Sequence, residues 1–359
     1  MILNRYLRRE ISKPLLPVLG ILVALFGSYS AATLLSDAVN GLLPGDIITE
    51  LVGLKVLISL EVLIPVALYM SVILSFGRLY SDSELTAAYA LRITPAQISG
   101  AVLVVAGCAA LAVAGLSLVV RPWAYQKLHT LSSHAASTLD VAAMQPGTFY
   151  IGQHGRRVIF LGHRHGPTTP ARDVFVQLWR GDHIRIIHAR LADKLPQGQA
   201  SEGIRIDMHD AHIYTMDLGS TQNDQVLSAR DLIINPDGTS DVTPEYSSVA
   251  ASSPRLVASN LPADIAELQW RLSTPISTLL LGLLGIPMSR ARPRQSKYSK
   301  LGAAILIYFG YYLLCTSTRT WVQHDMIAGF PGVWWAPGLL SLFLLAVTYR
   351  PRRLERGRA

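Results

Sequence analysis

Cysteine and catalytic motifs are scarce in this chain, and each shortage excludes a class of protein. Only two cysteines occur among 359 residues, Cys108 and Cys315, and both lie in apolar runs, which excludes a disulfide-stapled soluble domain. No Gly-x-x-x-x-Gly-Lys-Ser/Thr sequence occurs, so hydrolysis of a nucleotide on such a phosphate loop is excluded. The Gly-x-Ser-x-Gly elbow and the His-Glu-x-x-His pair are also missing. We therefore assign no catalytic residue and expect a protein that is not an enzyme.

Charge is also scarce. Charged residues make up 16% of the sequence, and hydrophobic residues make up 50%. An apolar helix of about 20 residues crosses the roughly 30 Å hydrocarbon core of a bilayer. Six apolar runs approach this length, of which the fourth and sixth are short: 14–36, 56–76, 98–120, 273–289, 301–318 and 333–348. The sequence therefore predicts six membrane-spanning helices. The first run is longer than the apolar core of a cleaved signal peptide, so we expect it to be retained.

Lysine and arginine are concentrated between alternate pairs of these runs. The basic segments are 5–13, 78–92, 290–300 and 350–358, whereas 37–55 contains only Lys55 and 319–332 only Arg319. Loops rich in Lys and Arg stay in the cytoplasm, so both termini are predicted to be cytoplasmic and the segment after the third span to be periplasmic. The net charge of +8 thus indicates membrane orientation and no nucleic-acid partner. We expect a multi-pass protein of the inner membrane.

The long polar segment 122–270 has the pattern of a β domain. Short runs rich in β-branched and aromatic residues recur between turn residues, at 148–151, 156–161, 173–179, 183–189, 203–208 and 211–217. We predict an all-β sandwich or roll of roughly eight strands, with turns at 181–182 and 235–238 and a connector at 242–256. The predicted domains are therefore 1–121 and 271–359 in the membrane and 122–270 outside it.

One ionisable residue lies near the centre of a predicted span. Glu61 is in the second run, where a charge costs about 2.5–3.5 kcal/mol on insertion scales and by default indicates function. Alternatively, Glu61 faces another helix and finds a hydroxyl partner, or it lies near the surface. The pair His163 and His165 lacks Cys or carboxylate neighbours and predicts a hairpin loop in preference to a metal site.

The loop 77–92 predicts a short helix that contacts a partner. Ser81 or Ser83 is a candidate helix cap, and Asp82 and Glu84 lie near the positive end of the helix dipole. Helical spacing puts a small apolar face on one side, formed by Leu85, Ala88, Tyr89 and Arg92. A helix lying on lipid is the alternative, which the acidic residues disfavour.

Several short motifs give the whole chain a resemblance to a known family. They are Arg5-Tyr6-Leu7-x-Arg9-Glu10, residues 77–84, the stretch 267–272, Pro287-Met288-Ser289 and Pro293-Arg294-Gln295. The chain resembles the LptF/LptG family, the paired permeases of the ABC exporter that extracts lipopolysaccharide from the inner membrane. The motifs are more similar to LptF than to LptG, and an LptG-type subunit is the alternative.

The resemblance implies an architecture and a set of partners. It implies a membrane α-helical fold of six helices, three before and three after a periplasmic jellyroll-like domain. The loop at about 81–92 would be the coupling helix that docks into a separate dimeric ATPase, so ATP and Mg would bind that partner and no cofactor this chain. Further implied partners are an LptG-like permease, an LptC-like single-span protein, an LptA-like periplasmic bridge and lipopolysaccharide.

The resemblance also suggests site residues. The coupling residues would be Glu84, Asp82, Arg78, Leu85 and Tyr89, with Glu84 contacting a basic residue of the ATPase. Family members can carry basic residues in the first span, but none occurs here between Lys13 and Lys55. Anion contacts would then fall to the partner permease or to Lys55, Arg121 and Arg319 at the outer rim, with Glu61 also on the candidate substrate path. The rival function is a membrane scaffold that binds a periplasmic β-protein without moving lipid; a neighbouring gene for a similar permease would favour the transporter.

Overall fold

The computed structural model describes most of the chain: residues 2–39, 43, 45–137, 147–152, 157–163, 170–180, 183–194, 206–217, 224–234, 247–289 and 301–349. These residues form two compact units. The first unit comprises Met1–Ser28, Gly53–Lys127 and Ser247–Ala359, and the second comprises Tyr29–Val52 and Leu128–Tyr246.

Nine α-helices are present in the described ranges: α1 Ile2–Val39, α2 Ile48–Ser81, α3 Glu84–Ala90, α4 Pro95–Gly115, α5 Arg121–Ser137, α6 Ser253–Ala258, α7 Pro262–Met288, α8 Leu301–Gln323 and α9 Trp335–Tyr349. A π-helical segment, Leu116–Val120, joins α4 to α5, and 3₁₀ turns precede α2 and α9. Within these ranges, five helical stretches are long and apolar enough to cross a membrane: α1, α2, α4–α5, α7 and α8.

The predicted spans agree with these helices except near the C-terminus. The apolar run of the fourth span is short, but α7 has 27 residues because the polar stretch before the run is also helical. Helix α9 has 15 residues, a length of about 22 Å at 1.5 Å per residue. It is apolar but shorter than the five long stretches, so the six-span topology stays a prediction.

Helix α7 lies against α2 and α4 at close range, and its glycines permit this. A Cβ atom added at Gly282 would lie 2.9 Å from the Cβ of Ala106 in α4. One added at Gly285 would lie 2.7 Å from a methyl group of Val72 in α2. Small residues at such contacts allow helix backbones to approach, which is how helices pack in lipid.

Two apolar clusters hold this helical unit together. The first joins the beginning of α1 to α2, α3, α4 and α7, and its buried members include Leu7, Ile11, Phe76, Leu85 and Ile98. The second joins α2, α7, α8 and α9, and it includes Tyr69, Ile73, Leu284, Ala304 and Leu340.

The short helix α3 differs from its prediction at both ends. Ser81 is the last residue of α2, and Ser83 adopts a left-handed conformation (φ 61°) and makes no side-chain cap. The serine cap predicted for α3 is therefore wrong. Leu85 is buried in the first cluster and Tyr89 packs against it, and Ala88 is also buried, but Arg92 follows the helix and is exposed. The apolar face of α3 is thus used for packing within the chain.

The strands form one antiparallel sheet in the order of the chain: β1 Thr148–Gly152, β2 Arg157–His163, β3 Ala171–Arg180, β4 His183–Lys194, β5 Ile206–Asp217 and β6 Gln225–Ile234. One face carries a buried core that includes Tyr150, Leu161, Val176, Ile187 and Met208. The four inner strands are β2 to β5, and β1 and β6 are the edges of the sheet formed by these six strands.

The inner strands share a kink along one row of the sheet. The pairing skips Gly162, Asp173, Arg190 and Asp210. Asp173 and Asp210 have φ of 56° and 53°, a left-handed conformation in which Asp is enriched. At Gly162 an added Cβ would lie 2.9 Å from the carbonyl oxygen of Arg172, so this position requires glycine. The skipped positions are aligned across the inner strands, so the pairing is interrupted at one level of the sheet.

The β-strand prediction is confirmed in part. Residues 206–208 of the predicted strand 203–208 and the whole predicted strand 211–217 belong to a single strand, β5, because the pairing continues on both sides of Asp210; residues 203–205 lie outside the described residues. Strand β6 was not predicted at all. The turns predicted at 181–182 and 235–238 lie outside the described residues, and part of the predicted connector forms α6. The jellyroll closure stays a prediction.

Candidate functional site

Glu61 of α2 is buried and fully occupied by partners from other helices. Its carboxylate accepts hydrogen bonds from Ser117 Oγ at 2.8 Å and from the indole Nε1 of Trp270 at 3.1 Å. Arg121 Nη1 lies 2.5 Å from its second oxygen. Burial of a charge is tolerated when it is both paired and hydrogen-bonded, so these contacts compensate for the position of Glu61 among apolar helices.

The π-helical segment brings two of these partners to Glu61. Ser117 lies within Leu116–Val120, and Arg121 follows it immediately. A π segment leaves a backbone carbonyl without its usual helical donor, and such segments occur frequently at functional sites. Here the carbonyl oxygen of Leu118 accepts a hydrogen bond from Ser253 Oγ at 2.7 Å.

Glu267 of α7 is shared by three arginines and has no solvent exposure. Its oxygens lie 3.0 Å from Arg121 Nε, 2.9 Å from Arg271 Nε and 2.7 Å from Arg319 Nη2. Because Arg121 also pairs with Glu61, one connected network joins α2, α5, α7 and α8. We call it the Glu267 cluster and define it as Glu61, Arg121, Glu267, Arg271 and Arg319.

Arg271 fixes the chain that enters the helical unit after β6. Its guanidinium, which is 0% exposed, donates to the carbonyl oxygens of Ala251, Val249 and Ser248 at 3.0–3.4 Å, and Nη1 also donates to Ser253 Oγ at 3.1 Å. The amide of Gln126 donates to the carbonyl oxygen of Ala250 at 2.7 Å. The segment 247–253 is therefore bound to α5, α7 and the π segment through its backbone.

Arg319 is the most accessible member of the cluster. Its side chain is 18% exposed, and its guanidinium lies 5.1 Å from the centre of the Trp270 ring, within range of a cation–π interaction. Its Nε atom is buried and has no hydrogen-bond partner among the described residues. One N–H group of Arg319 is therefore without an acceptor among the described residues, whereas Arg271 donates from Nε, Nη1 and Nη2.

The cluster contains three arginines and two glutamates, which gives a formal charge of +1. Its arrangement suits the cross-linking of helices, because each carboxylate joins at least three donors.

The predicted path residues do not all lie together in the structure. Glu61, Arg121 and Arg319 belong to the cluster, whereas Lys55 is half-buried and makes no ion pair with any described residue. Arg121 is buried in the cluster, and its position at the outer rim of the membrane stays a prediction.

The predicted coupling residues lie together near the beginning of α1. Arg78 pairs with Glu10, and its Nε lies 3.9 Å from Asp82. Lys13 Nζ lies 2.8 Å from the same Glu10 carboxylate. We call Glu10, Lys13, Arg78 and Asp82 the Glu10 cluster. Beside it, the hydroxyl of Tyr6 donates to Glu84 Oε2 at 2.8 Å.

The described part of the second unit contains polar pairs but no grouping typical of a metal centre. Among the described residues, no three His, Cys, Asp or Glu side chains are grouped to hold a metal ion. His209 Nδ1 lies 2.5 Å from Asp231 Oδ1, and this hydrogen bond raises the pKa of His209 above its usual value. His163 ends β2, and His165 lies outside the described residues.

Sequence reasoning missed Tyr6, Glu10, Glu267, Trp270 and Arg271 as site residues. A signal existed for Glu267 and Arg271, because an acid and a base four residues apart on a helix that continues into an apolar run lie on the same helix face. The stretch 267–272 was used only as a family motif. The spacing of Glu10 and Lys13 was a similar signal, but the contacts of Tyr6 with Glu84 and of Glu10 with Arg78 had none, since about 70 residues separate the partners.

Comparison with known proteins covers nearly the whole chain. A family described as lipopolysaccharide export system permease LptF/LptG matches residues 5–350. The lipopolysaccharide export system permease protein LptF of Escherichia coli (strain K12) is 24% identical over 360 residues, which cover 97% of this chain and 94% of that protein. The proteins of the same name from Escherichia coli O157:H7 and Shigella flexneri show the same identity and coverage.

Proposed function

The chain belongs to the LptF/LptG family of lipopolysaccharide export permeases, and from that membership we propose that it is the LptF-type, non-catalytic subunit of an ABC exporter. Its partners would be an LptG-like permease, a dimeric cytoplasmic ATPase, an LptC-like single-span protein and an LptA-like bridge. Together they would extract lipopolysaccharide from the outer leaflet of the inner membrane, with both termini of this chain in the cytoplasm and the sheet in the periplasm. The relatives named LptF support the choice of subunit type.

Helix α3 is the observation that carries this proposal. It lies between two long apolar helices, and Leu85 and Tyr89 pack against them. Glu84, Thr86 and Ala87 on the helix are exposed, as are Asp82 and Ser83 just before it. A short helix fixed to the bundle on one side and polar on the other suits transmission of movement from a soluble motor to the membrane helices. Glu84 would contact an Arg or Lys of the ATPase.

Substitution of Glu84 tests the coupling role. A charge pair that becomes desolvated on docking loses about 2–5 kcal/mol when one partner is removed, whereas a pair at the rim is worth about 0–1 kcal/mol. We expect Glu84→Ala to weaken copurification of the ATPase and release of lipid, and Glu84→Lys to abolish both. Asp82→Ala is the matched control on the same turn and should change little. Normal assembly and export by Glu84→Lys would refute the coupling role.

The sheet supports a second part of the proposal, the transfer of lipid to a periplasmic β-protein. In the six-stranded order, β1 and β6 have one unpaired edge each, and an exposed edge can accept a strand from a partner. Of the predicted contact segments, 148–161 includes the edge strand β1, but 203–217 corresponds to the inner strand β5. Contacts should therefore come from β1 and β6.

Site-specific photo-crosslinking distinguishes the edges from the inner strands. A crosslinker at the exposed Phe149 in β1 or Val226 in β6 should trap a β-rich partner during transport. The same crosslinker at His188, which is exposed but lies in the inner strand β4, should not. Equal yields at His188 and at both edge positions, or no product at either edge, would refute strand pairing.

Among the predicted path residues, Arg319 retains the best capacity to bind an anion. The partial exposure of its side chain supports a contact with a phosphate or carboxylate of the lipid. Arg121 and Glu61 are engaged with each other, so we assign them to the packing of helices and not to lipid binding. The amount of lipid that copurifies with Arg319→Gln should decrease several-fold. The same measurement on Lys55→Gln provides the comparison, because Lys55 is a cation outside the cluster.

A further inference from the structure

Tyr6 lies where it can control the carboxylate of Glu84. The two residues are 78 positions apart, and the Tyr6 hydroxyl donates to Glu84 Oε2 at 2.8 Å. The bond occupies one carboxylate oxygen and leaves Oε1 able to accept a further donor. A carboxylate held in this way has a defined direction, because a single freely rotating Glu side chain would otherwise sample several rotamers.

Helix α3 cannot provide this direction alone. It has seven residues, far below the length at which an isolated helix is stable, and Ser83 makes no side-chain cap at its beginning. Glu84 is the first residue of the helix, so the packing of Leu85 and Ala88 does not immobilise its side chain. Its orientation therefore depends on a group from another element.

The beginning of α1 is well placed to supply that group. Leu7 and Ile11 are buried in the same apolar cluster as Leu85. Ser71 Oγ and Ser75 Oγ donate to the backbone carbonyls of Ile11 and Glu10, and Glu10 also pairs with Arg78. These contacts fix the first turns of α1 against the end of α2. Tyr6 is 39% exposed, so it lies outside the buried core, and its hydroxyl is free to bond with Glu84.

We propose that Tyr6 is a positioning residue that orients Glu84 for the basic residue of the partner ATPase, so that the beginning of α1 and helix α3 form a single docking surface. This inference rests on the proposed function, because it requires Glu84 to contact the ATPase. Movement of α3 would then be transmitted to α1 directly as well as through α2 and α4.

The experiment measures the dissociation constant of the purified ATPase for the permease heterodimer in nanodiscs. Tyr6→Phe removes one oxygen and retains the ring, so we expect normal insertion and about threefold to tenfold weaker binding, the range for loss of one hydrogen bond. Tyr29→Phe is the matched control, because it makes the same change at an exposed position of the same helix. We expect it to leave the dissociation constant unchanged.

The double variant decides whether Tyr6 acts through Glu84. In a Glu84→Ala background, Tyr6→Phe should have no further effect, since the carboxylate that it orients is gone. Full additivity of the two losses, or equal results for Tyr6→Phe and Tyr29→Phe, would overturn the positioning role while leaving the coupling role of Glu84 intact. Unchanged binding by Glu84→Ala alone would refute the coupling role itself, and the positioning role with it.

Discussion

The Glu267 cluster and the Glu10 cluster contain the same kinds of side chain but differ in burial. In the Glu267 cluster both carboxylates and two of three arginines are buried. In the Glu10 cluster only Glu10 is buried, and its partners Arg78 and Lys13 are 41% and 55% exposed. Removal of one partner from a buried pair leaves an uncompensated charge, whereas exposed pairs contribute little. The first cluster therefore behaves as a permanent link between helices, and the second can rearrange when a partner docks.

The largest effect is expected from Glu267→Gln. This change leaves Arg121, Arg271 and Arg319 with Glu61 as the single remaining carboxylate of the cluster. We expect a loss of about 3–5 kcal/mol in stability, measured as the unfolding of the purified heterodimer in detergent. The exposed Asp46→Asn is the matched control, because it removes the same charge near the start of α2. Equal stability of the two variants would show that burial does not distinguish the clusters.

A second substitution should reverse part of that loss. Glu267→Gln raises the formal charge of the cluster from +1 to +2, and Arg319→Gln in the same chain returns it to +1. We expect the double variant to be more stable than the sum of the single effects predicts, by about 0.5–3 kcal/mol, which is the usual range for contacting residues. Strict additivity of the two unfolding free energies would mean that the arginines do not share Glu267.

A smaller effect is expected from Arg78→Ala in the Glu10 cluster. Glu10 would lose one cation but keep Lys13 at 2.8 Å, and the Arg78 side chain is substantially exposed. The loss should be about 0–1 kcal/mol in the same unfolding measurement, and added salt should diminish it. A loss as large as that of Glu267→Gln would contradict the contrast between the clusters.

The smallest effect is expected from Asp82→Ala. Its carboxylate lies 3.9 Å from Arg78 Nε, and the side chain is 52% exposed. Pairs at this i,i+4 spacing are worth about 0.2–0.5 kcal/mol, so the unfolding free energy should change by no more than that. A loss above 1 kcal/mol would identify Asp82 as part of the structural core of this region.

Much of the fold follows from local patterns. Apolar runs predicted α1, α2, α4 and α8, since a span needs only length and hydrophobicity. Alternation predicted most of the sheet, but β6 (QVLSARDLII) interrupts it with Ser, Arg and Asp, and it was missed. The apolar run of α7 is shorter than the helix, because the first turns contain Asp264, Glu267 and Arg271, which lower the hydrophobicity of the segment.

The candidate site was predictable only where a residue was unusual in its own surroundings. Glu61 was noticed because it is a charge in an apolar run, and the expectation of a hydroxyl partner agrees with its bond to Ser117. Its charged partner, Arg121, was predicted at the outer rim, and no sequence pattern paired it with Glu61. The π segment, which directly precedes Arg121, has no established sequence signature.

The sequence by itself determined the family, the apolar helices, the β-rich insertion and the acidic start of α3, because each depends on composition or on short-range periodicity. Only the tertiary structure decided which polar side chains from distant parts of the sequence meet. Glu61 and Trp270 are 209 residues apart, Arg121 and Glu267 146, and Tyr6 and Glu84 78. A hydrogen bond requires donor and acceptor within about 3 Å, and the packing of whole helices, not the spacing of residues along the chain, sets that distance.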